Sequence, residues 1–398
     1  MTLDRRILIQ AAAGAFVVGA AAPRFSFAAT PGDRRLIVII LRGAMDGLAA
    51  VPPHGDSDYA RVRGSLALAK GGQGGIQDLD GAFGLHPALA TFKGLWDQKQ
   101  LAIVHAVASP YRDRSHFDGQ NVIESGALRP NGLPDGWLNR AMGPLGLNDP
   151  RLALAIAQSV PVILQGHRDV SSWMPAQLPQ ADGDFIARLK TLYANDPLFR
   201  GALDNAIEVN AVADASGTTM DPSMMRGARG YRFEPLAKMA GNLIAAPGGP
   251  TITVFEVNGW DTHQAQGTTE GRLNFVLGDF DKGIRALAEA IRPIWERTAI
   301  LAFTEFGRTA APNGSGGTDH GTASAAFVLG GAVNGGRVLG QWPGLRALYE
   351  GRDLAPTTDL RAVCKGVLGE HMRISRAQLD GVFPDSAGVA PVAGLIRA

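Results

Sequence analysis

Short apolar runs recur along this chain, each closed by glycine and polar residues. The clearest is Arg35 to Leu41, RLIVIIL; others span Leu101–Val107 (LAIVHAV), Thr251–Val257 (TITVFEV), Ala299–Thr304 and Ala325–Leu329. Runs this short, bounded by Gly and polar residues, predict parallel strands buried on both faces. Between them the apolar spacing lengthens to that of a helix. Leu89, Phe92, Leu95 and Trp96 share one face after His86-Pro87, and Leu273, Val276, Leu277, Phe280, Ile284, Leu287 and Ile291 mark a helix from Arg272 to Trp295. Asp135 to Met142 predicts a short helix, Leu152 to Leu164 a strand-turn-strand, Gly64 to Gly84 a hairpin or irregular excursion, and Asp359 to Gly369 a closing helix. From Asp182 to about Pro247 the pattern is helical throughout, which predicts a helical insertion or cap. Strands alternating with helices make this an α/β chain with a central, mostly parallel sheet flanked by helices.

The 398 residues suffice for one large α/β domain, taken here as 29–398 with the insertion at about 182–247. A formal net charge of +1 leaves no footprint for nucleic acid. The single cysteine, Cys364, excludes an intramolecular disulfide and a thiolate metal cluster, and its apolar helical surroundings predict a buried, inert thiol. At the N-terminus, Arg5-Arg6 precede an apolar stretch from Ile7 to Ala22, and Ser26-Phe27-Ala28 offers a small-x-small cleavage site. Residues 1–28 resemble a twin-arginine export signal. The apolar run is shorter than a bilayer span, so cleavage is expected to leave no stable membrane anchor. The expected partner is the twin-arginine (Tat) export machinery, and the expected location is periplasmic or secreted.

Candidate chemistry gathers where the strands end, which is where ligands bind in open α/β sheets. Asp46 sits in the Gly-rich turn RGAMDGL after the first strand, either as a metal ligand or as the cap of the next helix. After the second strand comes YRDRSHFD. There Ser115 or His116, near a helix N-terminus and beside Arg112 and Arg114, is placed for anion chemistry or for simple capping. After the third, Asp261 and His263 alternate along extended chain and so point the same way. Glu305 ends the fourth strand, with Arg308 just beyond, and Asp319-His320 precede the strand after it. His54, on a Pro/Gly loop, and His105, inside a strand, are expected to be structural. The carboxylates, imidazoles and hydroxyl at these strand ends suffice for two metal ions sharing a nucleophile.

RGAMDGL, DRSHFD, NGWDTH, TEFGRT and GTDHG together resemble the exported domain-of-unknown-function family 1501, which is similar to the alkaline phosphatase and sulfatase superfamily. The resemblance runs from about Arg35 to Gly369 and implies an alkaline-phosphatase-like sandwich. It matches Asp46 to the first metal-binding Asp and Ser115 to the nucleophile. It matches Asp261 and His263 to the Asp/His pair of one metal site, here more closely spaced, and His320 to the last His ligand. Where the superfamily has Asp-His, this chain has Glu305-Phe306, and Asp319 stands nearby as a substitute ligand. The sulfatase formylglycine precursor is absent.

The resulting expectation is an exported hydrolase of phosphate or sulfate esters using one or two divalent ions: zinc, manganese, calcium or magnesium. Ser115, His116, Arg114 and Arg308 would be catalytic, and Asp46, Asp261, His263, Glu305, Asp319 and His320 the ligands. Its substrate would be an anionic ester, small molecule or polymer. The altered Glu305-Phe306 motif favours the alternative, a non-catalytic binding or scaffolding protein that keeps its metal.

Overall fold

A computed structural model describes residues 33–398 apart from residue 73 and residues 176–182, 216–225 and 228–229. The expected export signal, 1–28, lies outside the described residues. Among those described, nine strands form one sheet: β1 (Arg35–Arg42), β2 (Leu101–Ala108), β3 (Ala153–Ile156), β4 (Ser171–Ser172), β5 (Ile252–Asn258), β6 (Thr298–Thr304), β7 (Ser324–Leu329), β8 (Arg337–Leu339) and β9 (Thr358–Asp359). Their order is β8-β2-β7-β6-β1-β5-β3-β4, with β9 also on β2. The fold is mixed α/β, a large and mostly parallel sheet flanked by helices.

β1 lies at the centre. It pairs in parallel with β6, Arg35 opposite Thr298, and with β5, Leu36 opposite Ile252. Its alternate residues feed two cores. Ile37, Ile39 and Leu41 join Phe92, Leu243 and Phe280 on one face, while Leu36, Val38 and Ile40 join Trp137, Val363 and Leu379 on the other. These partners lie on helices: α3 (Ala90–Asp97), α8 (Phe233–Ala245) and α9 (Arg272–Ala290) on the first face, and α5 (Trp137–Met142), α10 (Leu360–Glu370) and α11 (Arg376–Val382) on the second. Strands buried on both faces need no polar alternation, which is why their sequences read as solid apolar runs.

Some expectations are corrected. β7 is antiparallel to β6 and to β2; the connection from Glu305 to Ala323 contains no helix to carry a parallel crossover. The second strand expected before Leu164 is a 3-10 turn, Val162–Leu164, following Pro161, which has no N–H to give a ladder. Pro293 likewise ends the regular part of α9 early, and Arg292–Arg297 is 3-10. Among the described residues of the stretch from about 182 to 247 there are three helices. α6 (Gly183–Leu192) and α7 (Pro197–Ala215) carry exposed Leu192 and Phe199, whereas α8 buries Phe233, Leu236, Met239 and Leu243 against the sheet. No helix among the described residues is long and apolar enough to cross a membrane.

Three buried side chains, two of them expected to be so, are structural. His105 in β2 puts Nε2 3.0 Å from the Val51 carbonyl and accepts at Nδ1 from Ala106 N–H. His371, after α10, donates from Nε2 to the Arg35 carbonyl at 2.8 Å. Cys364 is buried in α10, and burial pushes its thiol up, out of reach of thiolate chemistry. Burial lowers both His105 and His371 to about 4. The unfolded chain therefore takes up protons first. Stability is expected to be whole above about pH 6.5 and to fall as pH drops toward about 4, by up to roughly 3 kcal/mol per histidine. Urea melts across that window check this, with His371→Gln expected to flatten the slope.

Candidate metal centre

Because β7 opposes both β2 and β6, the strands β1, β2, β5 and β6 all run the same way and end at one edge of the sheet. β2 leads there into α4 (His116–Ser125), and β7 begins there, just after Asp319 and His320. The loop after β1 must pass unusually close. Gly43 has φ +116°, and a Cβ on it would stand 2.6 Å from the Asp261 backbone nitrogen. Only glycine fits both conditions, and its N–H donates to Glu305 Oε1 at 2.8 Å.

His116, Asp261 and His320 each bring one ligand-type atom within 4.8 Å of the others. His263 adjoins them: its Nε2 is 2.9 Å from His320 Nε2 and 3.0 Å from Asp261 Oδ1. Two of the rings are held from behind through Nδ1. His116 Nδ1 donates to Glu305 Oε1 at 2.7 Å, and His320 Nδ1 donates to the Arg114 carbonyl at 2.8 Å. Asp319 Oδ1 lies 3.5 Å from His263 Nδ1. A carboxylate or carbonyl can only accept, so His116 and His320 keep their Nε2 lone pairs for the interior. Two imidazole nitrogens 2.9 Å apart need something between them: the proton of an N–H···N hydrogen bond, or a cation. His116 Nε2 brings a third imidazole nitrogen beside them. It is buried, has no hydrogen-bond partner and faces Asp261 Oδ2 at 3.7 Å. A buried nitrogen without a hydrogen-bond partner is costly, and a bound ion is one group that would satisfy it.

Glu305 serves the centre from one layer back. It is 1% exposed, and both oxygens are filled: Oε1 by His116, Gly43 N–H and Gln120 Nε2, Oε2 by the Thr304 hydroxyl. Burial alone would push its carboxyl up, but these hydrogen bonds, led by His116, hold it below the usual range. Burial likewise works against charge on His116, yet the Glu305 bond and the carboxylates of Glu305 and Asp261 raise it above its ordinary value. His320 is lowered, first by burial and then by the cationic groups nearby, despite its bond to Arg114. Asp261 is lowered although burial opposes this, because Arg308 Nη1 donates to Oδ1 at 2.7 Å. Asp319 is held down by its bond from Asn313 Nδ2.

The other expected site residues lie in the network around these donors. Asp46 caps α1 (Gly47–Ala50) through Oδ1 and takes Arg63 Nη2 and Gln266 Nε2 on Oδ2, each at 2.7 Å. Gln266 Oε1 accepts from the Thr262 and Thr318 hydroxyls, and Arg308 Nε donates to Thr318 Oγ1. A buried chain thus joins Asp46 to Asp261 without bringing the Asp46 carboxylate to the imidazoles. The Arg308 guanidinium is fully buried in that chain, and the Arg114 guanidinium pairs with Asp353 and Glu350. Ser115 is the N-cap residue of α4, its hydroxyl making no capping bond, and its N–H donates to the Tyr111 hydroxyl at 3.3 Å. Of the residues not foreseen, Gln120 was findable, lying one helical turn from His116 on the same face. Arg63, Gln266, Thr318 and Asp353 carry no local signal.

The model of one family, described as a protein of unknown function (DUF1501), matches residues 33–383. No curated protein matches the chain. Among solved structures it is similar to the lipoteichoic acid synthase LtaP from Listeria monocytogenes, at 10% identity and a TM-score of 0.35, covering 78% of this chain and 67% of that one. It is similar to a protein in the alkaline phosphatase superfamily from Vibrio parahaemolyticus, at 10% identity and TM-score 0.35, covering 75% of this chain and 60% of the other. It is also similar to the Streptococcus pyogenes phosphoglycerol transferase GacH, in complex with sn-glycerol-1-phosphate, at 10% identity and TM-score 0.41, covering 91% and 82%. Likeness at this level leaves the chemistry to rest on the residues of the chain itself.

Proposed function

The chain belongs to the DUF1501 family, and from its own strand-end residues we propose an exported, metal-dependent hydrolase of phosphate or sulfate esters. The observation that carries this reading is the buried, unpartnered His116 Nε2 facing Asp261 beside the His263–His320 pair. His116, His263, His320 and Asp261 would hold the ion, with Glu305 and Asp319 fixing two rings from behind, as outer carboxylates do for metal-binding imidazoles. Three imidazoles and one carboxylate suit zinc or another first-row ion better than calcium or magnesium, which prefer oxygen. When bound, such an ion supplies Lewis-acid stabilisation of charge on the ester oxygens and eases ionisation of a nearby hydroxyl.

Ser115, immediately before His116, is the proposed nucleophile. First-turn N–H groups of a helix lack intrahelical acceptors, so α4 favours the ester's anionic oxygens beside it. The Ser115 oxygen bonds to phosphorus or sulfur while the ester oxygen leaves with a proton as alcohol; water then releases phosphate or sulfate and restores the serine. Arg308 would act through Asp261, and Arg114 through its carbonyl on His320. The Arg5-Arg6 segment supports delivery by the twin-arginine machinery to the periplasm or beyond.

The test is metal analysis of mature protein purified without chelator, followed by a panel of phosphate and sulfate esters. The expected result is about one equivalent of a first-row ion per chain and turnover that Ser115→Ala abolishes while metal stays bound. Full activity in that variant would remove the nucleophile assignment. Bound metal with no turnover of any ester would move the protein to the binding or scaffolding reading.

A further inference from the structure

We propose that Asp353 is a positioning residue that sets the proton on His320 and thereby aims its Nε2 at the centre, an inference resting on the metal-site reading above. Asp353 is fully buried and lies in the turn between β8 and β9, far along the chain from every candidate ligand. Its Oδ2 accepts from Arg114 Nε at 3.0 Å, Arg114 Nη2 at 2.8 Å and the Thr322 hydroxyl at 2.9 Å. Its Oδ1 accepts from Arg352 Nε at 3.0 Å. Both arginines then touch His320. The Arg114 carbonyl accepts from His320 Nδ1 at 2.8 Å, and Arg352 Nη2 donates to the His320 carbonyl.

Arg114 has φ +58°, the left-handed region that non-glycine residues enter only when their surroundings hold them there. The buried part of that hold is the guanidinium–Asp353 pair, with Glu350 joining it at the surface. It keeps the Arg114 carbonyl facing the His320 ring, and a carbonyl at Nδ1 forces the proton onto that nitrogen, leaving Nε2 bare. Arg352 fixes the backbone of the same histidine through its carbonyl. One buried carboxylate therefore clamps both the ring and the main chain of a proposed ligand without touching the centre itself.

The experiment uses the full mature protein, its Asp353→Asn and Arg114→Ala variants, and the double variant. Two quantities are read: zinc affinity by competition with a chromophoric chelator, and the nitrogen-15 shifts of the His320 imidazole without metal. Wild type is expected to show His320 as a pure Nδ1–H tautomer. Each single variant is expected to show mixed tautomers and about 10- to 100-fold weaker zinc binding, the usual cost of losing an outer-shell partner. The double variant should lose little more than either single one, because both break the same link. An unchanged tautomer in a folded Asp353→Asn protein would overturn the clamp, as would zinc affinity kept within about twofold. If Asp353→Asn does not fold, Arg114→Ala, which keeps the carbonyl and removes the pair, tests the same link by the same two readouts. A wild type that binds no zinc but shows the tautomer shift on substitution would sink the metal reading and leave the clamp standing.

Discussion

Replacing His320 by alanine is expected to strip the protein of bound metal and, with it, of ester turnover. His320 Nε2 stands 2.9 Å from His263 Nε2 and 3.6 Å from Asp261 Oδ1, so its loss opens the middle of the donor set. Affinity should fall by more than about 100-fold, since residues merely behind a ligand already cost about 10- to 100-fold. Glu305→Gln is the informative contrast. Glu305 touches His116 through Nδ1, on the side away from the centre. The glutamine keeps the shape and still offers an oxygen, so metal binding should weaken by about 10-fold and turnover should recover at saturating metal. Metal content and rate measured together at two zinc concentrations decide this. Irreversible loss in Glu305→Gln would make Glu305 a ligand, as its place in the sequence suggested. Metal retained by His320→Ala would remove the centre.

That contrast marks where reading the sequence stops. β1, β2, β5 and β6 were legible because a strand buried on both faces is written as an unbroken apolar run, and their polar ends showed which edge collects the chemistry. The direction of β7 was not, since a short apolar run reads the same both ways. Nor were the roles within the cluster. Glu305 and Asp261 are both acids at strand ends, and only distance separates the one behind His116 from the one facing its Nε2. Ser115-His116 pointed to a helix start, but that the His116 ring faces Asp261 depends on how α4 is turned. Asp353, Gln266 and Arg63 act through tertiary contacts with residues far away in sequence, and no local pattern encodes those.

Asp46 carries the sharpest disagreement between position and surroundings. It occupies the place where the family resemblance implies a metal ligand, yet its oxygens already serve a helix cap, Arg63 and Gln266. Arg63 is fully buried, and its Nε has no partner even with Asp46 in place. Its remaining contacts are the Ala310 carbonyl at 3.1 Å and the Thr309 carbonyl at 3.5 Å. Asp46→Ala should therefore leave a buried, uncompensated cation and cost about 3–5 kcal/mol, with the lost cap adding about 1 kcal/mol more. A damage of that size is read as a lowered urea midpoint at unchanged slope. The companion substitution Arg63→Met, made together with Asp46→Leu, replaces the pair with apolar groups and should recover much of the loss, because the pair's own desolvation disappears with it. Metal content settles the role. In the recovered double variant the centre should still bind its ion, weakened through the Gln266–Thr318–Arg308 chain to Asp261 by less than the about 10-fold that loss of a direct outer partner costs. A folded double variant without metal would instead make Asp46 a ligand and call for a second ion beside the first.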